Sequence, residues 1–133
     1  MKEIFADTFY FLALLDRRDA HHRRVLDFAT NSRWPLVTTR WVLVEVANAL
    51  GGSPIRTAAA RLLQQVEEDA SLRIIVGSDD LYEQGLALFA TRQDKEWSLT
   101  DCISFVVMTE QRLEQALTGD RHFEQAGFKA LLA

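Results

Sequence analysis

The stretch from Trp97 to Asp120 constrains the fold more than any other part of the chain. Wound as a helix, at about 100° per residue, it puts Leu99, Cys102, Ile103, Val106 and Val107 on one face and Phe105 and Met108 on the opposite one. A helix apolar on both sides is a buried helix. Its only polar strip is narrow and holds Thr100, Asp101 and Ser104. A buried, unpaired carboxylate is very costly, so Asp101 requires a cation, a capping role or a metal. The run Ala116-Leu117-Thr118 follows and reads as a strand that delivers a second carboxylate, Asp120, just past its C-terminal end.

The rest of the chain alternates short apolar runs with helical stretches. Glu3 to Ala6 reads as a strand ending at Asp7, and Thr8 to Leu15 as the helix after it. A helix from Asp19 is expected to turn His21, His22, Arg23 and Arg24 outward and Val25, Leu26 and Phe28 inward. Trp34 to Thr38 reads as a strand, and Thr39 as the cap of a helix from Arg40 to Leu50. Gly51-Gly52 stops that helix, and Ser53-Pro54 restarts one that runs to Glu68. Leu72 to Val76 is β-branched and short, hence a strand; Ser78 caps a helix from Asp79 to about Arg92. A short helix from Arg121, a glycine cap at Gly127 and a strand at Phe128 to Leu131 complete the order. Strictly alternating elements imply a parallel sheet covered by helices on both faces. In such sheets, sites form beyond the C-terminal ends of the strands, at a switch point in strand order.

With 133 residues, the chain matches one domain with one core, residues 1–133. Its net charge of −4 lends nucleic-acid binding no support from the chain as a whole, so any such function must come from a local site. The single cysteine, Cys102, excludes an internal disulfide and reads as a small core residue. Phe9 to Leu15 is too short to span a bilayer, and no signal peptide is evident. A cytoplasmic protein with no membrane partner is the expectation.

Asp7 and Asp120 directly follow strands, Asp101 starts the buried helix, and Glu45 lies within the otherwise apolar stretch from Trp41 to Leu50. Each has a plain structural use. Asp7 and Asp120 suit helix N-caps, Ser98 to Asp101 matches a capping box, and Glu45 has Arg40 or Arg56 as a possible pair. Taken together they admit a different reading. Clustered carboxylates repel, and without a cation some would be protonated near neutral pH. Mg²⁺ or Mn²⁺, which takes oxygen ligands and keeps several waters, resolves the conflict. Such an ion polarises a phosphate and lowers the pKa of a bound water, which suits phosphodiester hydrolysis.

The segments Ala6-Asp7-Thr8-Phe9-Tyr10, Thr38 to Leu50, Ser98 to Met108 and Ala116 to Phe128 resemble the four motifs of PIN domains, and in particular VapC-type ribonucleases. The likeness runs from about Lys2 to Leu131. It implies a three-layer α/β/α sandwich with a central parallel sheet and a Mg²⁺- or Mn²⁺-dependent, RNA-cleaving site. Residue by residue it implies metal-binding, catalytic acids at Asp7, Glu45, Asp101 and Asp120, with the hydroxyls of Thr8 and Thr118 near metal or substrate. It further implies a homodimer and, for a toxin of a toxin–antitoxin pair, an antitoxin partner. One departure stands out: some members carry another acid two residues after the fourth, where this chain has His122, so a second ion is not expected.

Other residues carry weaker readings. Adjacent His21 and His22 would point about 100° apart on a helix and cannot easily share an ion. Arg17, Arg18, Arg23 and Arg24 read as a surface balanced by Asp16, Asp19 and Asp27, whereas Arg121, beside Asp120, is the better-placed phosphate contact. Trp34, Trp41 and Trp97 suit core or interface better than base stacking. The rival to a nuclease is a catalytically silent PIN-like module that binds a protein or RNA. A phosphotransfer domain is disfavoured because Lys2, Lys95 and Lys129 all lie away from the strand-end acids.

Overall fold

The computed structural model describes residues 2–133. In chain order the elements are β1 (Ile4–Ala6), α1 (Thr8–Leu15), α2 (His22–Asn31), β2 (Leu36–Thr39), α3 (Arg40–Leu50) and α4 (Arg56–Val66). Then come β3 (Leu72–Ile75), α5 (Asp79–Thr91), α6 (Leu99–Glu110), β4 (Gln115–Leu117), α7 (Arg121–Gln125) and β5 (Lys129–Ala130). The strands form one sheet in the order β3-β2-β1-β4-β5, and every neighbouring pair is parallel. Right-handed crossovers put α1 to α4 on one face, as the chain steps from β1 to β3, and α5 to α7 on the other, as it steps back. This is the α/β/α sandwich expected. Strand order reverses between β1 and β4, so Asp7 and Thr118 to Asp120 leave the sheet on either side of the switch point.

The helix α6 is as buried as its two apolar faces demand. Cys102, Ile103 and Met108 are wholly enclosed, and of its apolar residues only Leu99 and Val106 are partly open. Gly85 lets α5 press against it: a Cβ there would lie 2.4 Å from the Ile103 Cγ1. On the sheet side an aromatic chain links the layers, with Phe5–Phe123, Phe105–Phe123 and Trp97–Phe105 centroids 6.3, 4.9 and 5.0 Å apart. The Cys102 thiol is pushed up to about 11, first by desolvation and then by Asp101, so it stays protonated and unreactive.

Where boundaries differ from the sequence reading, a side chain explains the shift. The helix α2 starts at His22 rather than Asp19, because the Asp19 carboxylate accepts the His21 N–H at 2.8 Å and closes a turn instead. Leu26, expected inside, is 40% exposed, while Val25 is buried and Phe28 packs edge-on against Tyr10. The strand β2 begins beyond Trp34, which is exposed, and ends on Thr39, whose hydroxyl accepts the Val42 N–H at 3.2 Å as the cap of α3. Ser53-Pro54 forms a turn rather than the first turn of a helix. The Ser53 hydroxyl donates to the Leu50 carbonyl and accepts the Ile55 N–H, and α4 starts at Arg56. Gly127 adopts φ +96° after α7, the left-handed conformation a glycine cap supplies.

Candidate metal centre

The C-terminal edge of the sheet gathers the acids. Asp7 follows β1 at the N-cap position of α1, yet its side chain makes no capping bond. It is buried, and its Oδ2 accepts the Thr118 hydroxyl at 2.9 Å. The same Thr118 oxygen accepts the Asp120 N–H at 3.0 Å, so one hydroxyl ties β1 to the loop after β4. Asp101 makes the capping box: its Oδ2 accepts the Ser98 N–H, and the Ser98 Oγ accepts the Asp101 N–H. Asp120 caps α7 by accepting the His122 N–H at 2.9 Å. Capping therefore accounts for Asp101 and Asp120 in part and fails for Asp7. Glu45 pairs with no arginine; its Oε1 accepts the Thr8 hydroxyl at 2.6 Å, while Arg40 pairs with Glu67.

Two of the acids are pulled into close register by a residue that sequence reasoning treated only as a missing carboxylate. His122 Nδ1 lies 3.1 Å from Asp101 Oδ2 and 3.4 Å from Asp120 Oδ2. One ligand atom from each of Asp101, Asp120 and His122 falls within 4.8 Å of the others. Asp7 and Glu45 stand outside that group. The signal was present: a residue two positions past a helix N-cap acid shares its turn, so the pattern Asp120-Arg121-His122 places the ring beside the cap.

The electrostatics follow from burial without compensation. Among the described residues no lysine or arginine pairs with Asp7, Glu45, Asp101 or Asp120. Desolvation, then the negative charge of Asp101, holds the Asp7 carboxyl up to about 7, despite the Thr118 hydrogen bond. Glu45 adds further repulsion. Desolvation also raises Asp101, opposed by its hydrogen bonds from Ser98 and His122. A partly buried, repelling set of oxygen donors with no lysine or arginine among its partners fits a hard divalent ion. Gly119 is also constrained: a Cβ there would lie 2.6 Å from the Phe9 Cζ, so the loop carrying Asp120 rests on that ring.

The remaining candidates lie elsewhere. His21 packs edge-on against Phe9 at 4.8 Å, and His22 Nδ1 contacts the Ala13 carbonyl at 2.7 Å. Arg18 pairs with Asp16 and Arg23 with Asp27, and Arg24 donates to the Leu131 and Leu132 carbonyls. Arg18 and Arg23 are balanced by aspartates as expected, while Arg24 serves backbone carbonyls and Asp19 faces His21. Arg121 is exposed beside the cluster. Trp97 is a core residue whose indole N–H donates to Gln125 Oε1 at 3.0 Å.

A sheet with its switch point at a carboxylate cluster defines a class, and comparison with known families agrees. The PIN domain family model matches residues 4–129, and the chain belongs to that family. The 23S rRNA-specific endonuclease VapC20 of two Mycobacterium tuberculosis strains is 28% identical over 130 residues, covering 94% of this chain and 95% of the relative. The crystal structure of Mycobacterium tuberculosis VapC20, described as a Sarcin-Ricin loop cleaving toxin, matches with a TM-score of 0.86 at 26% identity. That match covers 94% of this chain and 95% of the other.

Proposed function

We propose that this chain is a divalent-metal-dependent endoribonuclease that hydrolyses RNA phosphodiester bonds, and that it acts as the toxin of a toxin–antitoxin pair. The observation that carries the reading is that Asp7 and Asp101, both buried and close enough to repel, stand at the switch point with half-buried Asp120 beside Asp101, and no lysine or arginine pairs with any of them. Asp7, Glu45, Asp101 and Asp120 are the residues to hold Mg²⁺ or Mn²⁺. Bound there, the ion would neutralise the carboxylates, polarise a phosphate and make water a better nucleophile.

The chain's own groups have definite tasks. Thr118 donates to Asp7 and so sets which of its oxygens faces the cluster. Thr8 does the same for Glu45 from the next residue along. The Ser98 cap holds Asp101 against rotation. Arg121, exposed and next to Asp120 in the chain, is the residue we assign to a backbone phosphate. The exposed apolar side chains Val44 on α3 and Tyr82, Leu86 and Phe89 on α5 are the residues we assign to a homodimer contact.

The test is cleavage of defined RNAs, beginning with 23S rRNA fragments that include the sarcin–ricin loop, with Mn²⁺ or Mg²⁺ and with chelator. Cleavage that needs the metal and disappears in Asp101→Asn, with circular dichroism unchanged, is the expected result. Wild-type rates in Asp101→Asn would exclude this mechanism.

A further inference from the structure

His122 is held in the acid cluster more firmly than an orienting residue requires. Its backbone N–H is anchored to Asp120 Oδ1, and its side chain is only 19% exposed. The Nδ1 faces two carboxylates at once, at 3.1 and 3.4 Å, rather than one. Its ligand atom and one oxygen each from Asp101 and Asp120 already lie within 4.8 Å of one another, a spread that one ion can bridge. The other two histidines are committed elsewhere, to Phe9 and to the Ala13 carbonyl.

We propose that His122 is itself a ligand of the divalent cation, making this a mixed nitrogen–oxygen centre that favours Mn²⁺ over Mg²⁺. The proposal rests on the metal-dependent nuclease reading above. Imidazole is a ligand of first-row transition ions, whereas Mg²⁺ takes oxygen and parts with its waters reluctantly. Binding needs the neutral ring, with its proton on the nitrogen turned away from the ion. Without metal the same Nδ1–H donates to Asp101, so one atom serves both states.

The experiment uses the full, untagged chain loaded with Mn²⁺. Pulsed electron paramagnetic resonance is expected to show nitrogen coupling to the ion. The coupling should vanish in His122→Asn and persist in His21→Asn and His22→Asn. By calorimetric titration, His122→Asn should weaken Mn²⁺ by about ten-fold and Mg²⁺ by no more than about two-fold. His122→Asp, which restores a carboxylate, should raise Mg²⁺ affinity relative to Mn²⁺; circular dichroism confirms that each variant folds. A wild-type protein that binds Mn²⁺ with no nitrogen coupling overturns the assignment, as does an equal loss of both metals in His122→Asn. RNA cleavage separates the two claims. Nitrogen coupling without any cleavage sinks the nuclease and leaves His122 a ligand, and cleavage without coupling does the reverse.

Discussion

The two edges of the sheet treat carboxylates in opposite ways. At the N-terminal edge, Arg73 donates to both oxygens of Glu3, at 2.7 and 3.0 Å, and Lys2 reaches Glu114 at 3.3 Å. The guanidinium hydrogen bond holds the Glu3 carboxyl below its usual range. At the C-terminal edge, the partners of Asp7, Glu45 and Asp101 are hydroxyls, backbone amides and an imidazole. Burial there raises Asp7 and Asp101 instead. An acid given its own cation at the surface is finished as a structural element. A set of acids given no lysine or arginine, inside the protein, is left to take its positive charge from outside.

The contrast is broken most severely by removing a charge from the C-terminal edge. Asp7→Asn or Asp101→Asn should lower the RNA cleavage rate on the order of a hundred-fold or more, measured at saturating Mn²⁺. Gly119→Ala removes no carboxylate but drives a methyl into Phe9. Either the Phe9 ring or the loop carrying Asp120 must then give, and where the loop moves, misplacing a catalytic group by about 1 Å can cost about a hundred-fold. A Phe9→Ala change added to Gly119→Ala should recover much of that rate; if it recovers none, the Phe9 contact is not what positions the loop.

The next effect concerns stability and has the opposite sign to the effect on activity. The Asp7 carboxyl lies near 7 when folded against 3.8 as an isolated group, so the folded state keeps a proton that the unfolded chain releases. Stability of the metal-free protein therefore falls as pH rises through that window, and the whole cost is present above it. Asp7→Asn should raise the thermal midpoint of metal-free protein at pH 8, by up to a few kcal/mol in stability, and give no gain near pH 4. Excess Mn²⁺ should shrink the gain, since only the wild type keeps its full ligand set. Smallest of all is the control at the other edge. Glu3→Gln should cost less than about 1 kcal/mol and leave cleavage unchanged, because the Arg73 pair is partly exposed. A large loss of cleavage in Glu3→Gln would erase the distinction between the edges.

Much of this was readable before any coordinates. The alternation of apolar runs and helical stretches identified a parallel sheet, and α1 and α3 keep the boundaries read from the chain. The buried character of α6 followed from its two apolar faces, and the four acids stood out because each interrupts apolar sequence. The failures have separate causes. Leu26 looked inward, but the core takes only the narrow arc that Val25 and Phe28 share, and Leu26 lies about 100° round the helix from Val25. Ser53-Pro54 looked like a helix start, but the Ser53 hydroxyl bonds back to Leu50 and makes a turn.

Sequence alone determined which residues must be buried, because apolar periodicity is local and each helix or strand displays it independently of the others. It also singled out the acids whose burial would need compensation. Tertiary structure alone decided what stands beside them. That Thr118 meets Asp7, that Thr8 rather than an arginine meets Glu45, and that His122 faces Asp101 are contacts across 111, 37 and 21 positions of chain. No local pattern encodes such pairs; they exist because a parallel sheet brings the ends of β1 and β4 together.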